Sequence, residues 1–362
     1  MKKVHNYSAG PCILPKEVME EASRSVVEFE GTGLSILEMS HRSKEFEAVM
    51  AEARQLALEV LNVPSGYTAL YLGGGASLGF LMVAQNMFRE HKRGAYLNTG
   101  TWASGAIKEC KNAGGEAVVV ASSEDRNFCY IPKQYTVPAD VDYFHYTSNN
   151  TIFGTQFKQI PNVNVPLVCD MSSDIYSKPI DASKFDLIYA GAQKNLGPAG
   201  ATLYIIKEEH LGKSSIKIPT MLDFNTHASK ESMYNTPPVF SIYVSMLTLR
   251  WLKKNGGVNW IAERNRQKAE LLYNEVDSNP LFKGTADVED RSYMNPTFVL
   301  TDETHKAEFD AMWKEAGISG ITGHRSVGGY RASMYNALPL ESVQVLVEVM
   351  KEFANKYATQ NA

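Results

Sequence analysis

Cysteine is scarce in this chain: four residues in 362, Cys12, Cys110, Cys129 and Cys169, none in a CxxC pair and none close to another. That spacing excludes a cysteine-clustered zinc site and a disulfide scaffold, and fits buried or incidental thiols in a reducing compartment. No apolar run approaches the roughly 20 residues needed to cross a bilayer. The lysines at positions 2 and 3 are not followed by the apolar stretch of a signal peptide, and a cytoplasmic location is expected. Charge of one sign is not in excess either: 36 basic against 40 acidic residues give a net charge of −4. A non-specific nucleic-acid binder, which needs a cationic face, is thereby disfavoured, while a local basic pocket for a small anion stays open. Internal repeats, low-complexity segments, the GxxxxGK[ST] of a P-loop and a clean GxGxxG are all missing.

What is present is ordinary globular material, 44% hydrophobic and 21% charged, with length enough for two domains. Helical and short apolar segments alternate, the mark of an α/β protein. Pro15 suits the first turn of a helix running to about Phe29. Phe46, Val49, Met50, Ala53, Leu56 and Val60 recur at the helical period and predict a helix over 43–61. Strands are predicted at 67–72, 95–97, 117–121, 143–146, 166–169, 187–190 and 201–206, with helices over 76–88 and 103–112. A mostly parallel central sheet flanked by helices follows. Beyond Phe240 the chain reads as helical to Trp251, with a break at Gly256-Gly257. The remainder predicts helix, a strand at 297–300, helix, strands around His324 and Met334, and a last helix from Leu340. We therefore expect a large domain over 16–256 and a smaller α+β domain over 257–362, with 1–15 packing on the latter.

Chemistry concentrates around Lys194. The stretch YAGAQKNLGPAG (189–200) ends an apolar strand in small residues, which lets a bulky planar group lie close to the backbone. A lysine held there loses water, its pKa falls, and its amine becomes a usable nucleophile; Lys178, the nearest rival, lacks that setting. About two dozen residues earlier, PLVCD (166–170) sets Asp170 at another strand end, where open α/β sheets bind ligands. A buried aspartate needs a cationic or hydrogen-bonding partner, and a protonated pyridine nitrogen is one. The plainer alternative is an aspartate capping the turn at Ser172-Ser173. Gly73-Gly74-Gly75-Ala76-Ser77 lies between a strand and a helix, where free N–H groups and the helix dipole favour a phosphate. Trp102 is placed to stack on a ring or to fill a core. Two His-Arg pairs, His41-Arg42 and His324-Arg325, together with Arg331, offer forks that match carboxylate and phosphate.

These segments together resemble the phosphoserine aminotransferase family, in the class V branch of fold-type I pyridoxal-phosphate enzymes. The likeness runs from NYSAGP (6–11) to RASMYN (331–336), and is most specific at EMSHRS (38–43), NNTIFG (149–154), AGAQKN (190–195), SMYNTPP (232–238) and GHRSVGG (323–329). It implies pyridoxal 5'-phosphate as cofactor, bound through Lys194 as a Schiff base. By the same resemblance Asp170 pairs with the pyridine nitrogen, Trp102 stacks on the ring and Thr151 bonds the phenolic oxygen. Ala76 and Ser77 would hold the phosphate with Gln193, while Asn235 and Thr236 reach it from a neighbouring subunit, so a homodimer is implied. Arg331 would take the substrate α-carboxylate, and His41, Arg42, His324 and Arg325 its distal phosphate or carboxylate. The implied reaction moves an amino group from L-glutamate to 3-phosphohydroxypyruvate in serine biosynthesis, with a related phosphorylated substrate of pyridoxine synthesis as a second use. Two positions depart from the family pattern: Ala76-Ser77-Leu78-Gly79 in the glycine turn, and Asn150, where relatives usually carry glutamate.

Three competing readings have distinct marks. A class V aminotransferase for an unphosphorylated keto acid such as glyoxylate would not need two His-Arg pairs. In a cysteine desulfurase, a cysteine would stand in the C-terminal region, where this chain has none. The third, a non-catalytic anion-binding module, would fail to bind the cofactor.

Overall fold

The computed structural model describes residues 3–358; the outermost positions of the expected domain ranges, 1–2 and 359–362, lie outside the described residues. Its centre is a seven-stranded sheet: β1 (Tyr67–Leu72), β2 (Arg93–Asn98), β3 (Glu116–Ser122), β4 (Tyr143–Thr147), β5 (Leu167–Asp170), β6 (Leu187–Gly191) and β7 (Thr202–Lys207). In space the order is β1-β7-β6-β5-β4-β2-β3. The pairings from β6 through to β3 are parallel, while β7 runs antiparallel to both of its neighbours. The sheet is thus α/β and mostly parallel, as expected, with one reversed strand.

β1, β4, β5 and β6 are buried at every residue, because helices cover both faces and leave no side for polar alternation. Alternate side chains feed two separate cores. Tyr71, Phe144, Tyr146, Ile188 and Leu203 pack against Phe46, Val49 and Leu247 on one face, whereas Leu70, Tyr143, Val168, Tyr189 and Tyr204 meet Phe80, Met82 and Ile107 on the other. Helix α1 (Lys16–Val27) and helix α2 (Lys44–Glu59) belong to the first face. The Ser43 hydroxyl accepts the Phe46 N–H at 3.3 Å and caps α2. Helices α3 (Gly75–Met87) and α4 (Thr101–Asn112) cover the second face.

Helix α5 (Val239–Lys254) ends at the expected glycine pair, where Gly256 and Gly257 have φ of +110° and +70°, a region that costs other residues strain. Helix α6 (Gly257–Ser278) then leads into a third core built from Leu272, Phe282, Phe298, Phe309, Tyr330, Met350 and Phe353. Tyr7 joins that core from the other end of the chain, its hydroxyl donating to Ser342 O at 2.6 Å. The neighbouring pair His5–Asn6 forms a parallel ladder with Ile318–Ser319.

Two expectations need correction. The first helix stops at Val27, because Glu28 is already extended at φ −156°. No strand lies at His324 or Met334; one short strand, Tyr330–Arg331, lies between them and pairs with Thr297–Leu300. His324 sits instead in a turn whose carbonyl accepts the Val327 and Gly328 N–H groups at 2.9 Å, and Met334 bonds Met294 O from an extended segment outside the ladder.

Candidate active site

The carboxyl ends of β4, β5 and β6 and the start of α3 open onto one cavity of about 290 Å³. Asp170 closes β5, and its carboxylate accepts the Ser172 N–H at 2.9 Å. The turn-capping role and the cavity-facing role thus coexist in one residue. Asp170 is 3% exposed; burial raises its pKa, and the Ser172 hydrogen bonds and the Lys194 charge oppose that rise. Such a carboxylate is stabilised by any further positive charge that enters the cavity.

Lys194 follows the end of β6 across a tight turn in which Ala192 O accepts both Lys194 N and Gly197 N at 2.7 Å. Its amine donates to Thr151 Oγ1 at 2.8 Å and lies 5.9 Å from the centre of the Trp102 ring. Burial pulls its pKa down to about 8, with Asp170 opposing that shift and Arg331 adding to it. Trp102, in the first turn of α4, is 37% exposed and stands at the cavity edge. Lys178 is spoken for elsewhere, donating to Phe157 O at 3.0 Å.

The glycine turn leaves backbone donors at the cavity. Gly74 and Gly75 have φ of +98° and +67°, and α3 begins at Gly75, so its first N–H groups have no partner within the helix. Ala76 and Ser77 line the cavity, as does Gln193. Arg331 reaches the same space from the smaller sheet, donating to Thr151 O at 3.4 Å, while its buried Nε has no partner. His324 completes that wall, and its pKa is lowered by burial and by the charges of Arg331 and Arg325.

The remaining expected residues are not part of this cavity in the single chain. Arg325 is exposed beyond His324. His41 and Arg42 lie on the loop before α2, with Arg42 Nε 3.5 Å from His41 Nε2 and the Arg42 N–H on Ser40 Oγ at 3.2 Å. Asn235 and Thr236 line a separate cavity of about 200 Å³ with Tyr71, Leu78 and Pro237. Conversely, the cavity includes Ala9, Gly10, Phe80, Thr147, Asn149, Ser172 and Ser173, to which sequence reading gave no ligand role. Ala9 and Gly10 fall within the NYSAGP stretch (6–11), and Asn149 within NNTIFG (149–154), so both had a signal. Thr147 had none. Asn150, at the departure from the family pattern, is a buried structural amide that donates to Thr155 Oγ1 at 2.8 Å and accepts from Thr99 Oγ1 at 3.3 Å.

Comparison with known proteins is consistent across the chain. The sequence model of the family described as Aminotransferase class-V matches residues 4–346. A phosphoserine aminotransferase of Flavobacterium psychrophilum is 65% identical over 357 residues, covering 98% of this chain and 100% of that protein. One from Porphyromonas gingivalis is 54% identical over 363 residues, covering 99% and 100%. Among solved structures, phosphoserine aminotransferase from Bacillus circulans subsp. alkalophilus superposes with a TM-score of 0.95 at 44% identity, over 98% of this chain and 99% of that one. The pyridoxal-phosphate-bound enzyme of Trichomonas vaginalis gives 0.91 at 36% identity, over 96% and 100%.

Proposed function

The chain belongs to the class V aminotransferase family, and from that premise we propose how its own residues perform the phosphoserine aminotransferase reaction. That reaction is the reversible, pyridoxal-phosphate-dependent transfer of an amino group from L-glutamate to 3-phosphohydroxypyruvate, giving 2-oxoglutarate and O-phospho-L-serine. One observation carries the assignment of roles: buried Lys194, buried Asp170 and Arg331 surround a single cavity.

The cavity fits the cofactor on independent grounds. Asp170 is a buried carboxylate that gains from a protonated ring nitrogen. The unpaired N–H groups at Ala76 and Ser77, helped by Gln193, suit the phosphate. Trp102 and Thr151 flank the Lys194 amine where a ring and its phenolic oxygen belong. When bound, pyridoxal phosphate supplies an electron sink for the pair left at Cα when the substrate Cα–H bond breaks.

Lys194 moves the proton. With its pKa near 8 it is a competent base close to neutral pH. It removes the Cα proton of glutamate in one half-reaction and returns one to the future Cα of phosphoserine in the other. Arg331 holds the α-carboxylate, which both substrates share. His324 and Arg325, with His41 and Arg42, take the distal group, a γ-carboxylate in one half-reaction and a phosphate in the other; an excess of donors suits both.

The working unit we propose is a cytoplasmic homodimer, in which Asn235 and Thr236 of the partner subunit reach the cofactor phosphate. Two features support it. Leu34 and Leu37, which precede His41-Arg42, are 48% and 60% exposed, and Tyr234, beside Asn235, is 42% exposed. A second chain packed there would take these side chains out of water. No helix among the described residues is long and apolar enough to cross a membrane.

The test is the visible spectrum of the cofactor-loaded protein. Its band should fade with L-glutamate and return with 3-phosphohydroxypyruvate. Recovery only with unphosphorylated keto acids would overturn the roles given to the His-Arg pairs, and sedimentation as a monomer would overturn the dimer.

A further inference from the structure

Three chain segments each bring one key residue to the cavity: the turn after Asp170, the loop carrying Lys194, and the extended segment after Arg331. A chain of buried amides joins all three. Asn195, next to Lys194 and 5% exposed, accepts the backbone N–H of Asn336 on Oδ1 at 2.9 Å. Its Nδ2 donates to Ile175 O at 3.0 Å. Asn336, 7% exposed, donates its own Nδ2 to Tyr176 O at 2.9 Å and accepts Asn265 Nδ2 at 2.9 Å. Two neighbouring carbonyls of the turn after Asp170 are thus held by two different amides. Tyr176 has φ +58°, a conformation that a bulky residue keeps only when its surroundings hold it there. From the other side Lys268 of α6 donates to Met334 O and Tyr335 O at 3.0 and 2.8 Å, fixing the same segment.

We propose that Asn195 and Asn336 are positioning residues: their bonds to each other and to the Ile175 and Tyr176 carbonyls fix how far the Lys194 amine stands from the Arg331 guanidinium, and so where a substrate Cα lies between base and carboxylate clamp. The inference rests on the roles given above to Lys194 and Arg331. Neither asparagine lines the cavity, and both act through the residues they hold. Apolar side chains of like size could fill the same volume, but could not specify this register, because each amide contributes donors and an acceptor in fixed directions.

The experiment uses the cofactor-loaded variants Asn195→Ala and Asn336→Ala, with Arg331→Ala as reference. Substrates are O-phospho-L-serine and O-phosphoethanolamine, which differ only in the α-carboxylate. Calorimetry with glutarate reads carboxylate binding without turnover. We expect kcat/KM for phosphoserine to fall about tenfold to a hundredfold, glutarate to bind correspondingly more weakly, and the residual reaction of phosphoethanolamine to stay at the wild-type rate. Added to Arg331→Ala, either substitution should cost little more. Equal slowing of both amines, full additivity with Arg331→Ala, or wild-type behaviour would each overturn the proposal. Should Arg331→Ala itself spare phosphoserine, the role of Arg331 is what has failed. If Asn195→Ala does not fold, Asn336→Ala carries the test: it keeps the backbone N–H that Asn195 accepts and removes the tie to Tyr176 O and the bond from Asn265.

Discussion

Lys194 gives its amine to the hydroxyl of Thr151 at 2.8 Å, and Thr151 in turn gives its carbonyl to Arg331 at 3.4 Å. One threonine therefore touches both the proposed base and the proposed carboxylate clamp. Lys194→Ala should leave the melting temperature of the cofactor-free chain near wild type while turnover drops by about 10⁴-fold or more. A folded variant with ordinary steady-state activity would remove Lys194 from the mechanism.

The same amine titrates near pH 8. Only the neutral form attacks a carbonyl carbon. Capture of pyridoxal phosphate by the cofactor-free chain should therefore quicken about tenfold per pH unit below that value and level off above it. Stopped-flow absorbance across this range gives the profile directly. A flat trace would mean that the buried amine is already neutral well below pH 8.

Arg42→Ala and Arg325→Ala should each raise KM for 3-phosphohydroxypyruvate by about tenfold or more while changing kcat less, since a charged hydrogen bond to phosphate is worth about 1.5–3 kcal/mol. Steady-state kinetics on both keto acids would show it. An unchanged KM for the phosphorylated one would count against the distal-site reading.

Lys268 is a second buried lysine, 1% exposed, with its pKa pulled down to about 7 by burial. Its folded value lies below the unfolded one of about 10.4, so between these pH values the unfolded chain binds the extra proton and stability rises with pH. Below pH 7 both states are charged and this dependence ends. Relative to Lys268→Met, the wild type should gain about 1.4 kcal/mol per pH unit between about pH 7 and 9. Denaturant midpoints for the two proteins, measured side by side, would reveal the slope. Parallel curves would show that Lys268 stays charged in the fold across this range.

Phe46 is fully buried on α2 at the face that meets the sheet. Phe46→Ala should cost about 3–5 kcal/mol and leave the affinity of the surviving folded fraction for cofactor unchanged. A loss under 1 kcal/mol by urea titration would mean that the helix closes over the gap.

The placement of Lys194 and Asp170 was legible because it follows from a local rule: an apolar run sets the strand, and its end sets the residue at the crevice. The reversal of β7 was not, since TLYIIK (202–207) reads alike in either direction and only its neighbours decide. Thr147 was missed because a threonine at a strand end carries no signal of its own; it faces the cavity because its partner in the ladder is Asp170. The strand at Tyr330–Arg331 was displaced in the reading towards His324 and Met334, since two residues are too few to show a period. His41, Arg42, Asn235 and Thr236 were visible as chemistry, but they lie outside this cavity in the single chain, and no spacing along the sequence encodes the dimer in which Asn235 and Thr236 are proposed to act.

Ala9 and Gly10 form part of the cavity wall, and the segment just before them is tied down by His5 and Tyr7 to Ser342, across separations of 337 and 335 residues. On the ribosome, this wall has to wait. The large sheet can assemble as its strands emerge, but the segment over 5–10 has no place to dock until the helix carrying Ser342 has been translated. An active enzyme should therefore appear only after the helix of Ser342 has been made, and stalled chains that stop short of Ser342 should carry a formed sheet and an open, unworkable site.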